Sequence, residues 1–369
     1  MIKVSYIVSS LPPSGPTKQL LHLLTNLDRG RFKAHLVILS PERTTRSMRS
    51  QIPSDVKVHA LNLGRLSAIG HGPSRLYRIL NDINPQVVHT NGVRPDSWVS
   101  SLTGQWCHLA TLRNDPVQDY PSRFGALPGR ALAWWHLRAI RRVHEPVTCS
   151  SELARLYARQ YGMAAQAIRN GVDTDYYRPA EDVPNERPGF VWVGSLIPRK
   201  EPNLMLDAFQ QAFPREDFGP TCPHISMLGD GPLINQLASE ADHSGVCLTG
   251  AVDDPLPYYQ TASWFVSTSR SEGLPNAVLE SLACGVPALL SDIPAHREIA
   301  EYAGEAVRLV PEQGTDAWAE ALQTAASDPH LPERRHAARQ AAEQHFSARA
   351  TAQQYMALYE DLVQQEPNS

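Results

Sequence analysis

Short apolar segments alternate with amphipathic segments along almost the whole chain of 369 residues. The apolar segments are five or six residues long and rich in valine, isoleucine and leucine. Alternation of this kind predicts parallel strands whose two faces are covered by helices. We predict strands at VSYIVS, AHLVIL, VKVHAL, QVVHT, HLATL, PVTCS, FVWVGS, HISML, VCLTG, WFVST, PALLS and AVRLV, and helices at QLLHLLTNL, SRLYRILNDI, ELARLYARQYG and NLMLDAFQQAF.

One segment interrupts this alternation and divides it into two blocks. Residues 175–189 contain three prolines and little apolar periodicity, and a strand follows at once. The two blocks predict two doubly wound α/β domains, which comprise residues 1–179 and residues 180–349. The first domain ends near Pro179, and the first strand of the second follows Pro188. The helical segment ATAQQYMALYEDLVQ, within residues 350–369, is expected to cross back to the first domain.

Composition is typical of a cytoplasmic globular protein. Hydrophobic residues make up 42% of the chain, and no apolar run approaches the roughly 18 residues of a membrane span. The start, MIKVSYIVSS, lacks the pattern of a signal peptide and is typical of a first buried strand. The five cysteines are scattered and form no C-x-x-C pair, which disfavours a disulfide framework or a zinc site.

The two predicted domains differ in charge. Residues 1–179 contain 23 lysines and arginines against 11 acidic residues, whereas residues 180–369 contain 11 against 27. A basic half suggests an anionic partner such as a membrane surface, a lipid phosphate or a nucleic acid. The alternative is mutual attraction of the two halves. No recognisable nucleic-acid-binding module is present, so a nucleic acid is the least favoured partner.

Two glutamates in SRSEGLPNAVLESLACG carry the most specific chemistry. Glu272 lies in a polar turn, and Glu280 lies on a predicted helix that begins at Pro275 and is capped by Gly285. A helix N-terminus attracts phosphate, and carboxylates accept hydrogen bonds from sugar hydroxyls. The combination predicts a nucleotide-sugar site.

Other predicted strands of both domains also end in residues suited to such a site. Arg199 and Lys200 follow FVWVGS directly before a helix, where two cations can clamp a diphosphate or can simply be solvated. Gly229 and Gly231 enclose a tight turn after HISML, and Gly15 follows the first strand. Ligands of doubly wound sheets bind at the carboxyl ends of strands, so these segments are expected to converge.

Four segments resemble the retaining glycosyltransferases of family four, also called glycosyl transferases group 1. They are NGVD, VGSLIPRKEPNLMLDAF, MLGDGP and SEGLPNAVLESLACGVPALLSD, and the resemblance covers the chain and is strongest from Asn170 to Asp292. It implies the GT-B fold, with two Rossmann-like domains facing across a cleft. It also implies a hexosyl- or N-acetylhexosaminyltransferase that uses a UDP- or GDP-sugar and needs no metal or other cofactor. Its acceptor would be lipid-linked, a polysaccharide or another molecule of envelope or exopolysaccharide biosynthesis.

The resemblance also implies roles for individual residues. Lys200 and Arg199 would bind the donor diphosphate and act in catalysis with Glu272, which would contact the donor sugar. Glu280 would bind the ribose. Further donor contacts are implied for Gly15, Ser195, Gly229, Ala251 and Val252, and for the main-chain N–H groups of Gly273, Leu274, Asn276 and Ala277.

The chain departs from the family pattern at two positions. Ser195 stands where the family often has a phosphate-binding arginine, so Arg199 is expected to substitute for it. Arg113 stands where many relatives have a histidine, and arginine cannot act as a base at neutral pH. Either His89 takes part or, as we favour, the leaving phosphate accepts the proton of the acceptor. We predict that His89, Arg113 and Asn114 bind the acceptor, with a purely structural His89 left open.

No metal site is predicted. The one Asp-x-Asp sequence, Asp173-Thr174-Asp175, falls in the NGVD turn between the domains. We assign it to that turn.

Residues 128–145 predict an amphipathic helix that could contact a membrane. Its apolar stripe is Leu132, Trp135, Ala139, Ile140 and Val143, and its arginines lie off the stripe. Ordinary domain packing is one interpretation. The other is peripheral docking on an anionic inner membrane face with Trp134 at the interface.

Two other functions remain possible for this fold. A nucleotide-sugar 2-epimerase would need acid and base residues around the sugar, and we do not find their pattern. A catalytically silent sugar-nucleotide-binding partner is disfavoured by the intact Lys200, Glu272 and Glu280.

Overall fold

The predicted strands fall into two parallel sheets in the computed structural model, which describes residues 1–42, 47–181, 189–214, 222–241, 245–311 and 314–365. The chain divides into two compact units. The N-terminal unit comprises Met1–Gly171 and Ala348–Ser369, and the C-terminal unit comprises Val172–Ser347.

The described part of the N-terminal unit contains a seven-stranded parallel sheet with the strand order β3-β2-β1-β4-β5-β6-β7. Its strands are β1 (Ile2–Val8), β2 (Phe32–Ile38), β3 (Lys57–Ala60), β4 (Val87–Asn91), β5 (Cys107–Leu112), β6 (Glu145–Thr148) and β7 (Gln166–Ala167). Its helices are α1 (Gly15–Thr25), α2 (Arg65–Ile83), α3 (Val93–Val99), α4 (Pro116–Phe124), α5 (Ala126–Ile140), α6 (Ser151–Tyr161) and α14 (Ala348–Gln365).

The described part of the C-terminal unit contains a six-stranded parallel sheet with the order β10-β9-β8-β11-β12-β13. Its strands are β8 (Gly189–Val193), β9 (His224–Leu228), β10 (Val246–Gly250), β11 (Trp264–Ser267), β12 (Ala288–Ser291) and β13 (Val307–Val310). Its helices are α7 (Pro202–Ala212), α8 (Ile234–Glu240), α9 (Leu256–Thr261), α10 (Asn276–Ala283), α11 (Pro294–Ala303), α12 (Thr315–Ala326) and α13 (Leu331–His345).

Strands in the middle of each sheet are apolar on both faces because helices cover both faces. In β1, Val4 and Tyr6 pack in the core beneath α1 and α14, whereas Ile7 points to a second core beneath α2 and α3. Alternating side chains of one strand thus enter two different cores. This explains why the strands have near-continuous apolar sequences.

The C-terminal helix α14 is part of the N-terminal unit, as predicted. Tyr355, Met356 and Tyr359 are buried in its core. The Tyr359 hydroxyl also lies 2.7 Å from Nδ1 of His89 on β4, and Tyr355 contacts Thr111 on β5 through their hydroxyls at 3.0 Å. The helix is therefore held by both apolar contact and buried hydrogen bonds.

The loops that follow β8 and β9 lie so close together that one position requires glycine. Gly229 has φ +149°, and a Cβ atom built there would lie 1.8 Å from the main-chain oxygen of Gly194. The Gly194 N–H donates to Leu228 at 3.0 Å, and the Gly229 N–H donates to Gly250 at 2.8 Å. The glycine-rich turn predicted from MLGDGP thus keeps three consecutive strand ends together.

All twelve predicted strands are present, and the sequence missed only β7 among the described strands. Residues 172–179 lie in the C-terminal unit, because Arg339 of α13 donates to the main-chain oxygens of Thr174 at 3.0 Å and Tyr177 at 2.9 Å. The boundary predicted near Pro179 therefore lies a few residues after the boundary between the two units, which falls between Gly171 and Val172. Pro188 lies outside the described residues.

The predicted helix at 128–145 differs from the structure in extent and in its buried face. Helix α5 begins at Ala126 and ends at Ile140. Trp135 was placed in the buried stripe and is 46% exposed, whereas Ala133, His136 and Leu137 are buried. The stripe was wrong at Trp135 because the buried face of α5 includes the small Ala133 and the polar His136, which is bonded to a buried aspartate, beside its large apolar residues.

No helix of the described residues has the length and apolar character needed to cross a bilayer.

Two buried histidines predict a pH dependence of stability in the N-terminal unit. Burial, and secondarily the charge of Arg113, lowers the pKa of His89 to about 3, and burial also lowers the pKa of His108 to about 3. In the unfolded chain each imidazole takes up a proton below pH ~6.5. The unfolded state then binds more protons, so each histidine should lower the free energy of unfolding by about 2 kcal/mol between pH 7 and pH 5.

Urea unfolding of wild type and His89→Gln at both pH values measures this effect. The variant should lose about 2 kcal/mol of the pH dependence because glutamine does not titrate. His330→Gln is the control, since that side chain is exposed. An unchanged pH dependence in His89→Gln would mean that folding does not lower the pKa of His89.

Candidate active site at the carboxyl edges of the two sheets

Each sheet has a switch point where successive connections leave in opposite directions. In the C-terminal unit it lies between β8 and β11, and in the N-terminal unit between β1 and β4. Ligands of doubly wound sheets bind beyond the carboxyl ends of the strands at such a point. The segments singled out in the sequence follow these strands or their neighbours.

A cluster of three partly buried charges lies at the switch point of the C-terminal unit. Nζ of Lys200, from the turn after β8, bonds Oε1 of Glu272, from the loop after β11. Nη1 of Arg199 lies 3.4 Å from Oε2 of the same carboxylate. The Glu272 side chain is only 9% exposed. The structure therefore brings the three predicted catalytic residues together.

The neighbouring cations keep Glu272 ionised in this buried place. Burial by itself raises the pKa of the carboxyl, but the charges of Lys200 and then Arg199 outweigh burial and lower the pKa to about 2. A carboxylate that stays charged can only accept hydrogen bonds. Glu272 is thus suited to hold hydroxyl groups rather than to donate a proton.

Main-chain contacts fix the two loops that carry these charges. The Thr268 hydroxyl bonds the main-chain oxygens of Lys200 at 3.0 Å and Glu201 at 2.8 Å. The Arg270 N–H donates to the oxygen of Arg199 at 2.9 Å. The cations are therefore positioned by the backbone as well as by Glu272.

Glu280 lies on α10 and is held by a buried tyrosine. Its side chain is buried, and Oε2 accepts a hydrogen bond of 3.0 Å from the Tyr259 hydroxyl on α9. Helix α10 begins at Asn276, one residue later than predicted, so Pro275 is its N-cap. Gly285, at φ +69°, follows the C-cap as expected for a helix-ending glycine, and its N–H donates to Leu282 at 2.9 Å.

The remaining predicted donor residues of this unit lie on neighbouring strand ends. Ser195 follows β8, Gly229 follows β9, and Ala251 and Val252 follow β10. Gly273 and Leu274 are buried in the loop before α10, whereas Asn276 and Ala277 are half-buried in its first turn. The structure thus places them all along the carboxyl edge of one sheet.

In the N-terminal unit, Arg113 is surrounded by amides rather than by carboxylates. Its Nη1 donates to Oδ1 of Asn170 at 2.8 Å. With the Asn91 amide oriented so that its oxygen faces the guanidinium, that oxygen accepts from Nε at 3.0 Å and from Nη2 at 3.3 Å. Arg113 is half-buried, and among the described residues no acidic side chain forms an ion pair with it. Its charge is available to an anionic ligand.

The other predicted residues of this unit differ in their surroundings. Asn114 is half-buried, and its main-chain oxygen accepts from the Tyr157 hydroxyl at 3.3 Å. Gly15 is the first residue of α1. His89 is buried and uses both ring nitrogens, with Tyr359 and Thr111 each 2.7 Å away. A structural role accounts for these contacts of His89, and acceptor binding by this residue remains a prediction.

Several supporting residues were not identified from the sequence. Tyr259, Asn91 and Asn170 hold site residues through the contacts described above. His296, fully buried on α11, has Nδ1 2.8 Å from the main-chain oxygen of Ser291. Burial lowers its pKa to about 4, against the opposing charge of Glu272. The sequence offered one indication of a supporting role for His296, which is its position shortly after the end of β12.

No group of three or more possible metal ligands was found among the described residues. Oδ1 of Asp173 accepts the N–H groups of Asp175 and Tyr176, each at 3.0 Å. These hydrogen bonds stabilise the turn to which we assigned Asp173 and Asp175 from the sequence.

Comparison with known proteins agrees with this geometry. Residues 187–328 match the family model for Glycosyl transferases group 1, and residues 13–176 match that for Glycosyltransferase Family 4. The chain is 28% identical over 228 residues to a D-inositol 3-phosphate glycosyltransferase of Kribbella flavida, a match covering 56% of this chain and only 53% of that protein. It is 22% identical over 316 residues to the capsular polysaccharide biosynthesis glycosyltransferase CapH of Staphylococcus aureus, covering 82% and 84% of the two chains.

Solved structures show the same fold at low sequence identity. The sucrose-phosphate synthase of Thermosynechococcus elongatus superimposes with a TM-score of 0.82 at 17% identity, covering 99% of this chain and 100% of that one. Anabaena HepE in complex with UDP-glucose gives a TM-score of 0.78 at 16% identity, covering 98% and 100%. With two doubly wound sheets and two family models that together match most of its length, the chain belongs to the group 1 glycosyltransferases of family four and has their GT-B fold.

Proposed function

We propose that this glycosyltransferase moves a sugar from a UDP- or GDP-sugar, with retention at the anomeric carbon, to a lipid-linked, polysaccharide or other acceptor of envelope or exopolysaccharide biosynthesis. The observation that carries the proposal is the partly buried cluster of Lys200, Arg199 and Glu272 at the switch point of the C-terminal unit. Cations suit a diphosphate, and an ionised carboxylate suits sugar hydroxyls.

The donor fits the residues along this edge in order. Lys200 and Arg199 bind the diphosphate, together with N–H groups at the start of α10. Glu272 accepts hydrogen bonds from the donor sugar. Glu280, fixed by Tyr259, accepts them from the ribose. The base rests against the backbone of Ala251 and Val252.

Relatives support the substrate class. CapH is named for capsular polysaccharide biosynthesis, and the HepE structure contains UDP-glucose. By analogy we propose a nucleotide-sugar donor and a saccharide acceptor for this chain as well.

The reaction then follows from charge development. The bond between the anomeric carbon and the phosphate oxygen breaks through an oxocarbenium-like state, and the diphosphate gains negative charge. Lys200 and Arg199, preorganised by Glu272 and by main-chain bonds, bind this charge more strongly in the transition state than in the ground state. These cations supply the charge neutralisation, so the proposed reaction needs no metal ion.

The acceptor hydroxyl attacks from the same face as the departing diphosphate, and its proton passes to the leaving phosphate oxygen. No protein base or nucleophile is required. Arg113, held by Asn91 and Asn170, binds an anionic group of the acceptor, and His89 and Asn114 lie beside it.

Lys200→Ala should weaken donor binding and lower the rate of transfer by about 10²-fold or more. Loss of one preorganised charge costs about 10²–10³ in kcat, and it leaves the buried Glu272 poorly paired. Transfer is measured with a radiolabelled donor, and donor binding by the thermal shift that UDP or GDP produces.

Arg270→Ala is the matched control for this experiment. Arg270 lies in the loop after β11 that also carries Glu272, but its side chain is 68% exposed and pairs with Glu201. The Arg270→Ala variant should transfer the sugar at a rate within about twofold of wild type. Near-normal turnover of a folded Lys200→Ala would contradict the diphosphate assignment.

Glu280→Gln should raise the KM for the donor about tenfold with little change in kcat. A neutral amide replaces the charge-assisted hydrogen bonds that we assign to the ribose, a difference of about 1.5 kcal/mol. Initial rates over a range of donor concentrations measure the change.

Tyr259→Phe is the companion variant, because it removes the hydroxyl that fixes Glu280 and keeps the carboxylate. A smaller rise in KM is expected for it. An unchanged KM in Glu280→Gln would assign Glu280 to structure.

Arg113→Ala should impair use of the acceptor more than hydrolysis of the donor. The substitution removes the unpaired charge without touching the C-terminal unit, so the KM for the acceptor should rise about tenfold or more. Arg159→Ala, an exposed arginine on α6, is the control. Equal losses of transfer and of donor hydrolysis in Arg113→Ala would place this residue at the donor instead.

A further inference from the structure

Helices α4 and α5 expose an unusual amount of apolar surface. Five of the eight exposed large apolar side chains in the described residues lie between positions 117 and 135, and these are Val117, Phe124, Leu127, Trp134 and Trp135. Trp134 is 65% exposed and Trp135 is 46% exposed. Contiguous exposed apolar surface usually marks an interaction site.

Beside these side chains is a groove of about 790 Å³ between α3 and α5, which we call the Trp-Arg groove. The residues that define it are Trp98, Trp134, Trp135, Arg94, Arg138 and Arg142. It lies apart from Arg113 and the other proposed acceptor residues, none of which lines it.

Buried hydrogen bonds hold the walls of the Trp-Arg groove in place. His136 on α5 has Nε2 2.8 Å from Oδ2 of Asp96 on α3, and its Nδ1 is 2.7 Å from the Tyr120 hydroxyl on α4. Gly129 lets α5 approach α4 so closely that an added Cβ would lie 2.4 Å from Pro121. The exposed tryptophans are thus carried on a rigid support.

The sequence from the middle of α4 to just past the end of α5 carries charge of one sign. Residues 120–144 contain five arginines and no lysine, aspartate or glutamate. Arg138 lies 6.0 Å above the Trp134 ring, and Arg94 lies 5.9 Å from that of Trp98. Among the described residues no carboxylate pairs with Arg94, Arg138 or Arg142. The groove therefore combines aromatic surface with uncompensated positive charge.

An anionic lipid bilayer matches both properties. Tryptophans prefer the headgroup level of a bilayer, and arginines beside them meet lipid phosphates. A second copy of the chain fits less well, because a symmetric contact through the groove would place arginines against arginines.

We propose that the Trp-Arg groove docks the N-terminal unit on the surface of an anionic phospholipid bilayer, with Trp134 and Trp135 at headgroup level. The docking is independent of the proposed sugar transfer, because no residue assigned to donor or acceptor takes part.

Tryptophan fluorescence tests the docking directly. All seven tryptophans lie in the described part of the chain, and only Trp134 and Trp135 are exposed. The full-length protein is mixed with vesicles of dibrominated phosphatidylcholine, either alone or with an equal amount of phosphatidylglycerol. Bromine quenches tryptophans at the acyl boundary, so quenching is expected with the anionic vesicles only. It should be lost in Trp134→Phe/Trp135→Phe.

Flotation with the same vesicles measures affinity. Arg138→Glu should weaken binding to the vesicles about tenfold or more. Each cation near an anionic bilayer strengthens binding, and replacement of arginine by glutamate changes the charge by two units. Arg159→Glu makes the same change of charge on α6 and should bind like wild type. Binding should also fall from 0.05 to 0.5 M salt as the charges are screened.

Three results would overturn the proposal. One is equal flotation, or none, with anionic and neutral vesicles. Another is equal weakening by Arg138→Glu and Arg159→Glu. The third is protection of Trp134 and Trp135 from acrylamide by raising the protein concentration without vesicles, together with a dimer in sedimentation. That result would assign the groove to self-association.

Discussion

The arrangement of the C-terminal unit depends on one buried carboxylate between two cations. Glu272 joins the turn after β8 to the loop after β11, which are distant in sequence and adjacent at the switch point. Removal of one partner from a buried ion pair typically costs 3–5 kcal/mol, so the three charges stabilise one another's positions. A phosphate that approaches Lys200 and Arg199 meets cations already partly neutralised by Glu272. For the donor diphosphate that we propose to bind here, this partial neutralisation favours release after transfer.

In the N-terminal unit a cation of the candidate site is held in position by amides instead of by a carboxylate. Arg113 is oriented by the amides of Asn91 and Asn170, which fix its position without neutralising its charge. One carboxyl edge thus carries two cations that share one carboxylate, and the other carries a cation with no carboxylate partner among the described residues. This difference agrees with the excess of basic residues in the first half of the sequence.

The features that the sequence predicts well are those set by local pattern. The strands follow from apolar segments buried on both faces, and the placement of Lys200 and Glu272 after strands and of Glu280 on a helix follows from local pattern, whereas their roles stay predictions. Partners that depend on tertiary contact could not be predicted, such as Tyr259 for Glu280 or Asn170 for Arg113. The helix face of α5 was misjudged at Trp135 because a large aromatic was taken as core. The real core positions include Ala133 and His136, and burial of His136 depends on Asp96 from another helix.

Helix α14 has a consequence for the order in which the protein can fold during synthesis. Domains usually fold as units while the chain emerges from the ribosome, the N-terminal one first. Here Tyr355 and Tyr359, which complete the first core, are made after the entire C-terminal unit. Until then the core that β1 shares with α1 lacks its cover by α14, and His89 lacks the hydroxyl of Tyr359. The C-terminal unit can thus reach its final structure before α14, the last helix of the N-terminal unit, has been synthesised. This reverses the usual order, in which the N-terminal domain folds first.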